Sequence, residues 1–155
     1  MARQSLPSLP QGFDAVNITW SETPPINPLP GTEWIDSHVH FDTFDRAGEL
    51  ERVIDRARAA GVRQMIAIGG SDEANERVVR ISSSFPGVAY GVVGFDRDKA
   101  GHPNDLNAVR DMIRENPGRV VGIGESGLDY HYEPETAPQQ RALFASMLEL
   151  AAESA

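Results

Sequence analysis

From Trp34 onward the chain alternates between two apolar spacings. Short apolar runs, "WIDSHVHF", "VRQMIAIGG", "GVAYGVVGF" and "GRVVGIGE", predict four strands. After each run, apolar residues recur at three- and four-residue steps, as on one face of a helix. Leu50, Val53, Ile54 and Ala57 form the first stripe, within "RAGELERVIDRARAAG", and Gly61 is its expected stop. Ser71 is a good N-cap for "SDEANERVVRISSSF", where Ala74, Val78, Ile81 and Phe85 share a face. Asn104 is the expected cap of "NDLNAVRDMIREN", with Leu106, Val109, Met112 and Ile113 as its stripe. The last segment, "PETAPQQRALFASMLELAAESA", carries Leu143, Phe144, Met147, Leu148 and Ala151.

Strand and helix thus follow one another four times, in units of roughly 30 residues. Continuous apolar strands between amphipathic helices indicate a parallel sheet covered by helices, with right-handed crossovers. An open doubly wound sheet and part of a closed barrel both satisfy that pattern. No glycine-rich phosphate fingerprint follows the first strand; His38-Val39-His40 stands there instead, which favours the barrel. A whole barrel takes eight such units and roughly 250 residues. The expectation is an α/β fold in which residues 34–155 supply the first four βα units of a TIM-type (β/α) barrel, as a fragment or a truncated product. Residues 1–33 hold more than half of the eleven prolines and little periodicity, so they read as a poorly ordered N-terminal extension.

Composition changes this picture little. Apolar residues make up 40% and charged residues 24%, ordinary for a globular domain. No apolar run approaches the roughly 20 residues of a membrane span, and "MARQSLPSLPQGF", with no apolar block behind its arginine, does not read as a secretory signal. With no cysteine there are no disulfides and no thiolate ligands or nucleophiles, and a cytoplasmic protein is expected. A net charge of -9 argues against a broad nucleic-acid footprint. It leaves room for phosphodiester chemistry at a metal centre, where cations dominate the local field. Arg46, Arg52, Arg56, Arg58, Arg63, Arg77 and Arg80 lie mostly on predicted helices and are expected on solvated faces with i,i+4 partners.

The chemistry gathers at strand exits. His38 and His40 are two residues apart on a strand, hence on one face. Two neighbouring imidazoles near a core need partners or a metal. Asp36 and Asp42 flank them, as further ligands or as orienting carboxylates. Glu125 emerges where the fourth strand meets its loop, among Gly122, Gly124 and Gly127, which let backbone and substrate approach. Two imidazoles and a carboxylate at one sheet end suit a divalent ion such as Zn²⁺, Mn²⁺ or Mg²⁺.

"IDSHVHFD" and, 85 residues after His40, "GIGESGLDY" resemble the first and fourth strand motifs of the TatD-type metal-dependent hydrolases of the amidohydrolase superfamily. The resemblance runs from about Ile35 to Ala155. It implies a TIM-type barrel with one or two divalent ions and hydrolytic activity, typically deoxyribonuclease, on DNA or another phosphodiester. Carried over by position, it makes His38 and His40 ligands of one metal and Glu125 a catalytic ligand able to bridge two. Asp42 falls beside the ligands, and Asp129 and Tyr130 shape the loop next to the site. Two departures stand out. Where the family has a Gly-x-His-Pro element after strand three, this chain has Gly94-Phe95-Asp96-Arg97, with His102-Pro103 several residues late as a looped-out equivalent. His131 is expected on a loop or the surface. The family also draws ligands from later strands, so self-association or a C-terminal half is expected to cover an open half-barrel. Alternatives are an amidohydrolase-type C–N or ester hydrolase on the same fold, and a non-catalytic half-barrel.

Overall fold

A computed structural model describes residues 33–154; the proline-rich segment, apart from Glu33, lies outside the described residues. Strands β1 (Trp34–Val39), β2 (Val62–Gly70), β3 (Ala89–Phe95) and β4 (Val120–Ile123) form one parallel sheet in chain order. Between and after them lie α1 (Asp42–Arg46), α2 (Leu50–Ala59), α3 (Asp72–Ser84), α4 (Leu106–Glu115) and α5 (Ala137–Glu153). Every crossover therefore passes through helix, as parallel pairing requires.

The core lies between sheet and helices. Met65 and Ala67 of β2 and Ala89 and Val93 of β3 meet Ile54, Val78, Ile81, Val109, Met147 and Leu150 from the helices. Fully burying one such aliphatic side chain contributes about 1.5–3 kcal/mol, so this layer holds the fold. The other face of the sheet is more open. Gln64 and Tyr90 hydrogen-bond across it at 3.2 Å, and Ile66 and Val92 are half-buried. Val121, on the outer strand β4, is exposed.

Several local expectations hold. The Ser71 hydroxyl accepts the Ala74 amide at 3.3 Å as N-cap of α3. Gly61 ends α2 with φ +93°, a left-handed conformation that glycine adopts without penalty. Others need correction. The helix expected from Arg46 to Gly61 breaks at Ala47–Glu49, where Gly48 takes φ +68° and the Glu49 amide turns back to the Phe44 carbonyl. The cap of α4 is Asp105, whose Oδ1 accepts the Asn107 and Ala108 amides. Asn104 is drawn the other way, donating to the Lys99 and His102 carbonyls and closing the loop that precedes the helix.

Candidate metal centre

β1 ends at Val39, so His38 is on the strand and His40 just beyond it, before the turn into α1. β4 ends at Ile123, and Glu125 follows it through a cis Gly124–Glu125 peptide. Parallel pairing in chain order brings these exits to one rim. His38 Nε2 and His40 Nε2 face each other at 3.1 Å. Glu125 closes the triangle, with Oε1 3.9 Å from His38 Nε2 and Oε2 3.6 Å from His40 Nε2. One ligand atom from each of the three residues lies within 4.8 Å of the others. Two imidazole nitrogens this close, facing a carboxylate, want a proton or a cation between them. Nitrogen and oxygen donors in this number suit a divalent ion with open positions for water and substrate. The side chains are 53%, 48% and 32% exposed, so the centre opens outward.

Gly70, the last residue of β2, lies beside this rim with φ +127°. A first side-chain carbon on it would stand 3.5 Å from the Asp96 Cβ and 3.9 Å from the Glu125 Cβ. The exits of β2, β3 and β4 therefore meet beside the triangle.

The flanking residues divide. Asp36 Oδ1 accepts the His38 amide at 3.1 Å, steadying the strand backbone rather than joining the triangle. Asp42 Oδ2 stands 4.0 Å from His40 Nδ1, on the side of the ring away from Glu125. Asp129 sits in the loop after β4. Its Oδ1 accepts the His131 and Tyr132 amides, and its Oδ2 faces Arg97 Nε at 3.2 Å. Those two amides first, and then Arg97, hold its carboxyl below the ordinary value of 3.8. Arg97 is itself stabilised as a cation, chiefly by Asp96. Tyr130 is exposed, with Arg141 donating to its hydroxyl at 3.4 Å. His131 lies on the surface against Tyr132, and His102 is exposed in the loop before α4, outside the His38–His40–Glu125 group. The strand-three exit thus carries Asp96 and Arg97, and His102 does not reach the triangle.

Two residues that sequence reading passed over, Asn75 and Gln140, and one that it placed on a solvated face, Arg77, support the site. Asn75 is 1% exposed; its Oδ1 accepts the Gly70 and Gly94 amides and its Nδ2 donates to the Gly94 carbonyl. It fits because Gly69 leaves its place empty: a side-chain carbon there would fall 2.1 Å from Asn75 Oδ1. Paired glycines ending β2, with an asparagine in the next helix, were the available signal. Gln140 of α5 is equally buried and grips the Asp129 amide at 2.7 Å and its carbonyl at 2.9 Å. Arg77 departs from the expected solvated face, being 9% exposed and paired with Asp42, Asp45 and Glu73. Glu73 is its i,i+4 partner and Asp42 and Asp45 come from α1, a tertiary pairing the helix pattern does not contain.

With the geometry in place, comparison with known proteins is direct. The model of the TatD-related DNase family matches residues 35–155. The chain belongs to that family. Among its relatives is the 3'-5' ssDNA/RNA exonuclease TatD of Dickeya dadantii (strain 3937), 32% identical over 122 residues, or 77% of this chain and 46% of that protein. Another is the uncharacterized metal-dependent hydrolase YabD of Bacillus subtilis (strain 168), 27% identical over 126 residues, covering 76% of this chain and 46% of that protein. Among solved structures, the TatD homolog YJJV of Escherichia coli K12 superposes with a TM-score of 0.69 at 28% identity, over 78% of this chain and 47% of that one. The chain spans about half the length of the curated relatives it matches. Its four βα units are those of a TIM-type barrel, and the TatD family is one of metal-dependent hydrolases. Among the described residues no helix is long and apolar enough to cross a membrane.

Proposed function

We propose that this chain supplies the first metal-binding half of a TatD-type nuclease, which hydrolyses phosphodiester bonds in single-stranded nucleic acid. The observation that carries the reading is the convergence of His38, His40 and Glu125 from two separate strand exits onto one point. The ion held there is divalent, with Mg²⁺, Mn²⁺ and Zn²⁺ all compatible with nitrogen and oxygen donors. When bound, such an ion supplies Lewis-acid polarisation of a phosphoryl oxygen and activation of water. His38 and His40 offer their Nε2 lone pairs, and Glu125 offers one or both carboxylate oxygens. Asp42, 4.0 Å from the far nitrogen of His40, is placed to orient the ring. The exonuclease names of the relatives favour a phosphodiester over a C–N or ester bond. Among the described residues β1 and β4 are the outer strands of the sheet, and their edges and the more open sheet face are the surfaces that four further βα units, or a second copy, would cover.

The test is hydrolysis of an end-labelled single-stranded oligonucleotide by the natural-length protein, with and without divalent metal. Metal-dependent shortening is expected. Glu125→Gln, which keeps the shape and removes the charge, is expected to lower the rate at least the roughly 100-fold that losing even a supporting partner can cost. An unchanged rate in this variant, or cleavage indifferent to metal, would overturn the reading.

A further inference from the structure

We infer that Arg77 is a positioning residue of the metal centre, acting through Asp42 on His40. The inference rests on the reading that His38, His40 and Glu125 hold an ion. Arg77 stands on α3, whose neighbouring charges Asp72, Glu73, Glu76 and Arg80 are exposed, yet it is itself 9% exposed. Burying a guanidinium is costly unless its donors are all engaged. Here each takes a different carboxylate. Nη1 meets Asp42 Oδ1, Nε meets Asp45 Oδ2 at 3.3 Å, and Nη2 meets Glu73 Oε1.

Asp42 is the member that matters. One of its oxygens is held by Arg77, and the other, Oδ2, stands 4.0 Å from His40 Nδ1. The opposite nitrogen of that ring points at Glu125 and His38. A charged series thus runs from a buried guanidinium through a carboxylate, across 4.0 Å to the imidazole, and out to the ligand position. Mere fastening of α1 to α3 does not need Arg77, because Arg80 to Asp45 at 2.6 Å and Arg46 to Glu73 at 3.4 Å already join those helices. What Arg77 adds is a fixed direction for Asp42. A carboxylate held from behind and facing Nδ1 biases the orientation of the His40 ring, and outer partners of a ligand change metal affinity by roughly 10–100-fold. Lysine cannot substitute, since it is a point charge without the planar fork that serves three carboxylates at once.

The experiment is Zn²⁺ titration by calorimetry on the metal-free chain, in wild type, Arg77→Lys, Asp42→Asn and the double variant, with folding followed by circular dichroism. Arg77→Lys is expected to weaken Zn²⁺ binding about 10-fold while the chain stays folded. Asp42→Asn is expected to weaken it as much or more, and the double variant no further than Asp42→Asn alone, because both act along one path. The visible spectrum of the Co²⁺-substituted chain is expected to change in Arg77→Lys, as a turned His40 ring alters the ligand field. Wild-type affinity in Arg77→Lys, or full additivity of the two substitutions, would overturn the inference while leaving the metal centre standing. Failure of the wild type to take up Zn²⁺ would remove the metal centre and this inference together. If Arg77→Lys does not fold, Asp45→Asn and Glu73→Gln provide the check. Each removes a rival carboxylate and leaves Arg77 on Asp42, so Zn²⁺ affinity is expected to hold, and a 10-fold fall in both would count against the inference.

Discussion

The two inner strands and the two outer strands of this sheet have been given different work. β2 over its second half and most of β3 are buried, and where they leave the core Asn75 takes up the Gly70 and Gly94 amides and the Gly94 carbonyl. β1 is exposed along most of its length, and β4 has only four residues. Yet the outer pair delivers the candidate metal site: two histidines from one and a glutamate from the other. The inner strands supply stiffness, and the outer strands, joined only through them, inherit a fixed separation between their exits. A triangle of candidate ligands can therefore be open to solvent and still be held in place, because its rigidity comes from a neighbouring, dry part of the molecule.

The largest expected effect lies in the buried lock. Asn75→Ala orphans two amides and a carbonyl, each worth about 1–3 kcal/mol when buried without a partner. A loss of about 3–5 kcal/mol in urea unfolding of the chain is expected, and a midpoint close to wild type would show that the inner exits are held by something else. A matched pair of substitutions sharpens the contrast between inner and outer regions. Ile81, 1% exposed under the inner strands, is expected to cost about 3 kcal/mol when changed to alanine. Ile35, 61% exposed on β1, is expected to cost within about 0.5 kcal/mol in the same assay. Comparable losses at the two positions would mean that β1 is covered in solution, by a second copy or by other parts of the protein.

The smallest effect concerns acid. Asp129 and Asp45 both have folded-state carboxyls lowered from 3.8, the first mainly by the His131 and Tyr132 amides, the second mainly by its hydrogen bond from Arg80. A lowered folded value means that the stabilisation is fully present above the unfolded-state value and is lost as pH falls through the folded one. Stability is therefore expected to decline below about pH 4, where these carboxyls begin to protonate in the unfolded chain. Asp129→Asn is expected to flatten that decline slightly, and added salt to do the same, since the Arg97 pair is partly exposed. An acid limb identical in the variant and the wild type would show that the β4 loop is not fastened through this carboxylate.

What could be read along the chain, and what could not, follows the same division. Strand and helix order, the parallel sheet, the Ser71 cap and the Gly61 stop are local or periodic facts, and two-residue alternation is enough to put His38 and His40 on one face. Order of elements then suffices to send Glu125 to the same rim. The limits appear where a residue's surroundings come from distant segments. Helical spacing gives Arg77 one partner, Glu73, and says nothing of α1. That α1 turns back over α3 depends on the break at Gly48, which an otherwise continuous helical pattern conceals. Asn104 and Asp105 are both acceptable caps by type, and the pull of the Lys99 and His102 carbonyls decides between them. Asn75 and Gln140 are polar residues on apolar stripes, and only the space left by Gly69 and the path of the loop around Asp129 make their burial favourable. The sequence by itself determined the repeating units and the residue types available at the strand exits, because backbone periodicity and side-chain chemistry are carried by each residue and its near neighbours. The tertiary structure alone decided which polar groups are buried and whom they hold, because the cost of desolvating them is met only by partners brought from elsewhere in the fold.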